Sequence, residues 1–163
     1  NHGHGGKWTL TSMPVIAFLI LTALIPPHPE AIWEWPTSGE HRVLRDFQAP
    51  LTPWGSGHRG LDLAATGDTI VAPVAGVITF SGWVVNRGVI TITSAEGHRV
   101  SMEPVTALVP SGERVRAGEV VGELEPGHCP TLCVHLGLRV GEDYRSARRE
   151  LGILKRAVLL PWE

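Results

Sequence analysis

The sequence lacks any run of like charges: 14 Lys+Arg stand against 16 Asp+Glu for a formal net charge of −2, and the densest cluster is Arg145, Arg148 and Arg149. A polycationic arm or an acidic tail is excluded. The tryptophans, half of them in residues 33–54, are not interleaved with basic residues, so no nucleic acid partner is expected. Nor does any apolar run reach the roughly 18–20 residues needed to cross a bilayer. The main one, Met13 to Ile25, follows Lys7 and runs into Pro26 and Pro27. Residues 1–31 therefore read as an export signal or a signal anchor, the latter allowing membrane attachment. Cysteine is scarce as well. Cys129 and Cys133 form either a small disulfide loop, which export favours, or two ligands of a zinc site, which usually needs a second pair.

Glycine and proline are plentiful instead, 19 and 13 of 163 residues, scattered without a repeat. That composition suits short strands joined by tight turns. Thr69 to Ala72, Gly76 to Phe80, Gly88 to Thr93, His98 to Met102 and Val120 to Leu124 are β-branched stretches bounded by Gly, Pro or Ser. The length accommodates one domain, expected over residues 32–163. Its expected fold is all-β, an antiparallel sandwich or barrel-like hybrid with Gly-rich turns. The Trp- and Pro-rich stretch from Trp33 to Trp54 reads as an extended lead-in along a sheet edge. Ala147, Leu151 and Leu154 recur at a helical period, which predicts one short C-terminal helix within Asp143 to Lys155.

Three groups carry chemistry. In Gly57-His-Arg-Gly-Leu-Asp62, His58 and Asp62 lie four apart; fully extended backbone at about 3.3 Å per residue would separate them by roughly 13 Å. Meeting at one metal requires a sharp bend, which the glycines permit; otherwise Asp62 caps a turn and His58 is solvated. Leu61 and Leu63 then point to the core. In Cys133 to Val140, Val134, Leu136, Leu138 and Val140 alternate onto one face, leaving Cys133, His135, Gly137 and Arg139 on the other. His135 is thus either a groove-lining ligand or a surface histidine. His58, Asp62 and His135 together supply three protein ligands with a fourth position open, the stoichiometry of a catalytic zinc site. Glu103, at a strand end before Pro104, is either a general base or a solvated turn residue.

In order and spacing, GHRGLDLAATGDTIVAPVAGVITFSG, SGERVRAGEVVGEL and CVHLGLRVGEDY resemble the lysostaphin-type zinc endopeptidases, which cut peptide cross-links in bacterial cell walls. The resemblance runs from about Trp35 to Pro161 and is strongest to secreted actinobacterial members. It implies Zn2+ on His58, Asp62 and His135, peptidoglycan as the partner, and a secreted or wall-associated monomer. Two family histidines that handle protons are replaced, one by Cys133 and one by Glu103. Glu103 and His128 are the candidates to take over, Cys133 being unable to do so if bonded to Cys129. The alternative is a non-catalytic wall-binding or regulatory module of the same fold. A third class, a biotinyl- or lipoyl-carrier domain suggested by the turns of Val109 to Gly122, is excluded because Lys7 and Lys155 are the only lysines and neither sits at a hairpin tip.

Overall fold

A computed structural model of the chain describes His2 and residues 33–52 and 54–153; apart from His2, the expected export segment lies outside them. Eleven strands run in chain order: β1 (Val43–Arg45), β2 (Gly60–Ala64), β3 (Thr69–Val71), β4 (Gly76–Val84), β5 (Arg87–Ser94), β6 (His98–Glu103), β7 (Val105–Ala107), β8 (Arg114–Val115), β9 (Val120–Leu124), β10 (Cys133–Val140) and β11 (Asp143–Arg145). The large sheet has the order β1-β2-β10-β6-β5-β4-β8, with β11 also on β10; the small sheet is β3-β9-β7. Every pairing is antiparallel. The fold is all-β and the sheet does not close into a barrel. Among the described residues no helix is long and apolar enough to cross a membrane.

Period-two alternation decides which face of the large sheet is dry. Leu61, Leu63, Ile90, Ile92, Val100, Met102, Val134, Leu136 and Leu138 are all 0% exposed. They form one core with Ile70, Val105 and Val121 of the small sheet. Their neighbours in sequence necessarily point the other way. The lead-in follows both sheet edges: Thr37 bridges Ile70, β1 pairs with β2, and Gln48 bridges His58.

The C-terminal helix expected within Asp143 to Lys155 is replaced, over the described residues, by β11 and then turns across residues 147–152. Ala147 and Leu151 are both buried, joined by one Leu151 N–H to Ala147 C=O bond of 3.1 Å. The helical period is satisfied by a single turn, which stops at Gly152 with φ +70°. Leu154 and Lys155 lie outside the described residues.

The β4–β5 hairpin carries a local conflict. Val85 at its tip has φ +58° and is 98% exposed. A left-handed conformation costs an L residue roughly 1–2 kcal/mol, and an exposed β-branched side chain recovers none of it by packing. Val85→Gly is expected to raise stability by about 1 kcal/mol, read as a higher midpoint in thermal unfolding, after allowing for glycine's extra unfolded-state entropy.

Candidate metal centre and groove

Strand register lays the polar side chains of the large sheet in rows. Asp62 on β2 and Glu103 on β6 are both cross-strand partners of His135 on β10, so the three share one row on the face opposite the core. The next row is Gly60, Gly137, Ser101 and Thr91, and the one after it includes Arg139, Arg99 and Thr93. His58 precedes β2 and is fixed by two backbone bonds of 2.9 Å with Gln48. The bend demanded by the His58–Asp62 spacing is made there, and the two side chains meet at 3.0 Å.

Four donor atoms converge. Nε2 of His58 lies 3.0 Å from Oδ1 of Asp62 and 3.1 Å from Nδ1 of His135. Nδ1 of His135 lies 2.8 Å, and Nε2 of His128 3.0 Å, from the same Asp62 oxygen. All four atoms fall within 4.8 Å of one another. His58 and Asp62 are buried, while the His135 and His128 side chains are 16% and 26% exposed. Burial alone would raise the Asp62 carboxyl. The hydrogen bonds from His135 and His128 and the charges of His58 and His128 outweigh it, holding the group at about 2. Asp62 is therefore an anion at neutral pH.

The His58 ring shows what the cluster is built for. Its Nδ1 sits 2.7 Å from the carbonyl oxygen of Asp46, which can only accept, so Nδ1 carries the proton. In the neutral ring Nε2 then presents a lone pair to a carboxylate oxygen and to another ring nitrogen. A cation among these atoms would take that lone pair together with the Asp62 oxygen and the other ring nitrogens. Tetrahedral ligands with bonds near 2.0–2.1 Å sit about 3.3 Å apart, close to the spacing here, so the donor set fits a divalent ion such as zinc. The support extends outward: Nε of Arg148 bonds both carboxylate oxygens of Asp46 at 3.0 Å, pinning the segment that orients His58.

His128 comes from the β9–β10 loop, where sequence offers no period to place it. The Cys129–Cys133 disulfide ties that loop to the first residue of β10, and there are no free cysteines. Both sulfurs are used in the bond, so the alternative of cysteine metal ligands does not hold. Glu103 stands in the row but outside the converging four; its carboxylate oxygen is 3.0 Å from Nε of Arg87. Gly60 is required by the ring beside it. A Cβ there would lie 2.4 Å from the Leu136 carbonyl oxygen and 2.6 Å from Nε2 of His135. Gly60→Ala is expected to cost about 1–3 kcal/mol as overpacking and to lower metal affinity by displacing His135, measured by thermal unfolding alongside a zinc titration.

The site opens into a groove of about 560 Å³ over the sheet face, lined by His58, His135 and Glu103 and by Arg59, Arg87, Arg99 and Arg139. Trp54 and Trp83 are 96% and 64% exposed and do not line it. The arginines escaped the sequence reading because Arg87, Arg99 and Arg139 come from separate strands and Arg59 from the segment before β2. Only Arg139, which alternates onto the His135 face, carried a local signal.

Comparison with known proteins accords with this arrangement. The model for peptidase family M23 matches residues 56–146. Rv2891, an uncharacterized protein of Mycobacterium tuberculosis, is 37% identical over 111 residues, 66% of this chain and 45% of the relative. The chain thus spans about half the length of the curated relatives it matches. Among solved structures, Csd3 of Helicobacter pylori superposes with TM-score 0.59 at 20% identity, over 78% of this chain and 36% of that one. The catalytic domain of the antimicrobial peptidase lysostaphin from Staphylococcus simulans gives TM-score 0.57 at 19% identity, over 69% of this chain and 92% of that domain. At such identities these structures share the fold. With more than half of its residues matched by the family model, the chain belongs to peptidase family M23.

Proposed function

We propose that the protein is a zinc-dependent endopeptidase hydrolysing peptide cross-links of bacterial peptidoglycan. The observation that carries this reading is the meeting of His58 Nε2, Asp62 Oδ1 and His135 Nδ1, each within 3.1 Å of the others, at an open groove. Those three residues hold the ion. An ion such as zinc held there would supply Lewis acidity toward a water and a scissile carbonyl. Asp62 contributes the negative charge, and Asp46 and Arg148 keep the His58 ring oriented. With Cys133 in a disulfide and Glu103 paired with Arg87, His128 is the imidazole left to carry a proton. Residues 1–31 export or anchor the chain, and residues 32–163 act as a monomer at the cell wall.

Zinc-loaded protein incubated with purified bacterial cell walls is expected to release free amino groups steadily. Chelation should stop the release and added zinc restore it. No release with any divalent metal would overturn the reading.

One observation favours a second reading. His128 brings a fourth donor to within 3.0 Å of Asp62, and four protein ligands close a zinc site to water and substrate. In that case the protein is a non-catalytic wall-binding module. Sedimentation with insoluble peptidoglycan whose cross-linking stays unchanged would mark it.

A further inference from the structure

We infer that Arg99 and Arg139 form a carboxylate-binding subsite that selects acidic peptides, those with a free carboxylate two to four residues from the bond at the metal centre. This rests on the peptide-binding reading above and names the substrate class it takes. Four guanidinium groups line the groove against the single carboxylate of Glu103. Arg99 and Arg139 are direct cross-strand partners, a like-charge pairing that is unfavourable unless an anion lies between them. An anion does lie there. The Glu142 carboxylate reaches Arg99 at 3.3 Å through one oxygen and Arg139 at 2.7 Å through the other.

That carboxylate is a weak occupant. The Glu142 side chain is 87% exposed, and ion pairs so open to solvent contribute little and exchange readily. Glu142 therefore marks where an incoming carboxylate docks and competes with it for the place. A donor is also left over: Nε of Arg139 is buried with no hydrogen-bond partner. The Tyr144 ring lies against the Arg139 guanidinium at 5.1 Å and holds its plane, which suits two-point recognition of a carboxylate.

Distance sets the register. Arg139 is four residues beyond His135 on β10, roughly 13 Å at about 3.3 Å per residue. Between them Gly137 has no side chain, and a Cβ built on it would meet nothing nearer than 3.7 Å. An extended peptide thus has room to run from the metal centre to the arginine pair.

The test uses the full chain and octapeptides of alanine and glycine, each with one glutamate at a scanned position, beside matched peptides with glutamine. Binding is measured by calorimetry with and without zinc, and cleavage separately. Glutamate at one position should bind at least tenfold tighter than glutamine there, the preference shrinking with salt and vanishing in Arg99→Gln/Arg139→Gln. Glu142→Gln, which removes the internal competitor, should tighten glutamate peptides several-fold, an effect no purely structural role produces. Equal binding of both peptide sets, no binding of either, or a Glu142→Gln variant that binds no tighter would overturn the subsite. Carboxylate-selective binding without cleavage sinks the endopeptidase reading and leaves the subsite standing; cleavage indifferent to the carboxylate does the reverse.

Discussion

Asp62→Ala is expected to take bound zinc from about one per chain to near zero after dialysis and to abolish amine release from cell walls. Asp62 is the only anion among the four converging groups, and one of its oxygens contacts all three imidazoles at 2.8–3.0 Å. Without it the rings have neither a shared acceptor nor a charge to offset a divalent ion. Loss of an outer partner alone typically costs 10–100-fold in metal affinity, and Asp62 is a direct ligand on this reading, so its loss costs more. The fold should survive, because Leu61 and Leu63 on the same strand keep their core contacts. Elemental analysis beside a thermal melt makes the comparison. Full zinc occupancy in a folded Asp62→Ala protein would remove Asp62 from the ligand set.

His128→Ala separates the two readings of the site. If His128 carries a proton, zinc stays near one per chain while amine release falls about 10²–10⁴-fold, the usual loss for acid–base help. Reducing the Cys129–Cys133 disulfide should reproduce part of that fall, since the bond anchors the loop beside His128. If zinc leaves together with the side chain, His128 is a ligand and the closed, non-catalytic site is the correct description. Metal content and amine release measured on the same preparation decide it.

What the sequence disclosed depended on how local the signal was. β10 was readable from Val134 to Leu138, where the inward residues alternate without interruption, but not at its ends, where Cys133 is buried and Val140 is exposed. Leu61 and Leu63 were readable as core for the same reason. β1, β7 and β8, two or three residues long, were not. The meeting of His58 and Asp62 followed only as a requirement for a bend. The groove arginines and the place of His128 stayed hidden: the former depend on the register of separate strands, the latter on a cross-link. The expected C-terminal helix shows the converse error, in which two apolar residues at the right spacing are buried by one turn.

The clasp on His58 also bears on where the protein could be cut. The matched span begins at residue 56 and ends at 146. The carbonyl that sets the His58 tautomer belongs to Asp46, and the guanidinium holding that aspartate belongs to Arg148. A fragment trimmed to the family boundaries would keep all four converging side chains and lose the strut that aims one of them. The smallest piece that keeps this orientation of His58 therefore starts no later than Asp46 and ends no earlier than Arg148.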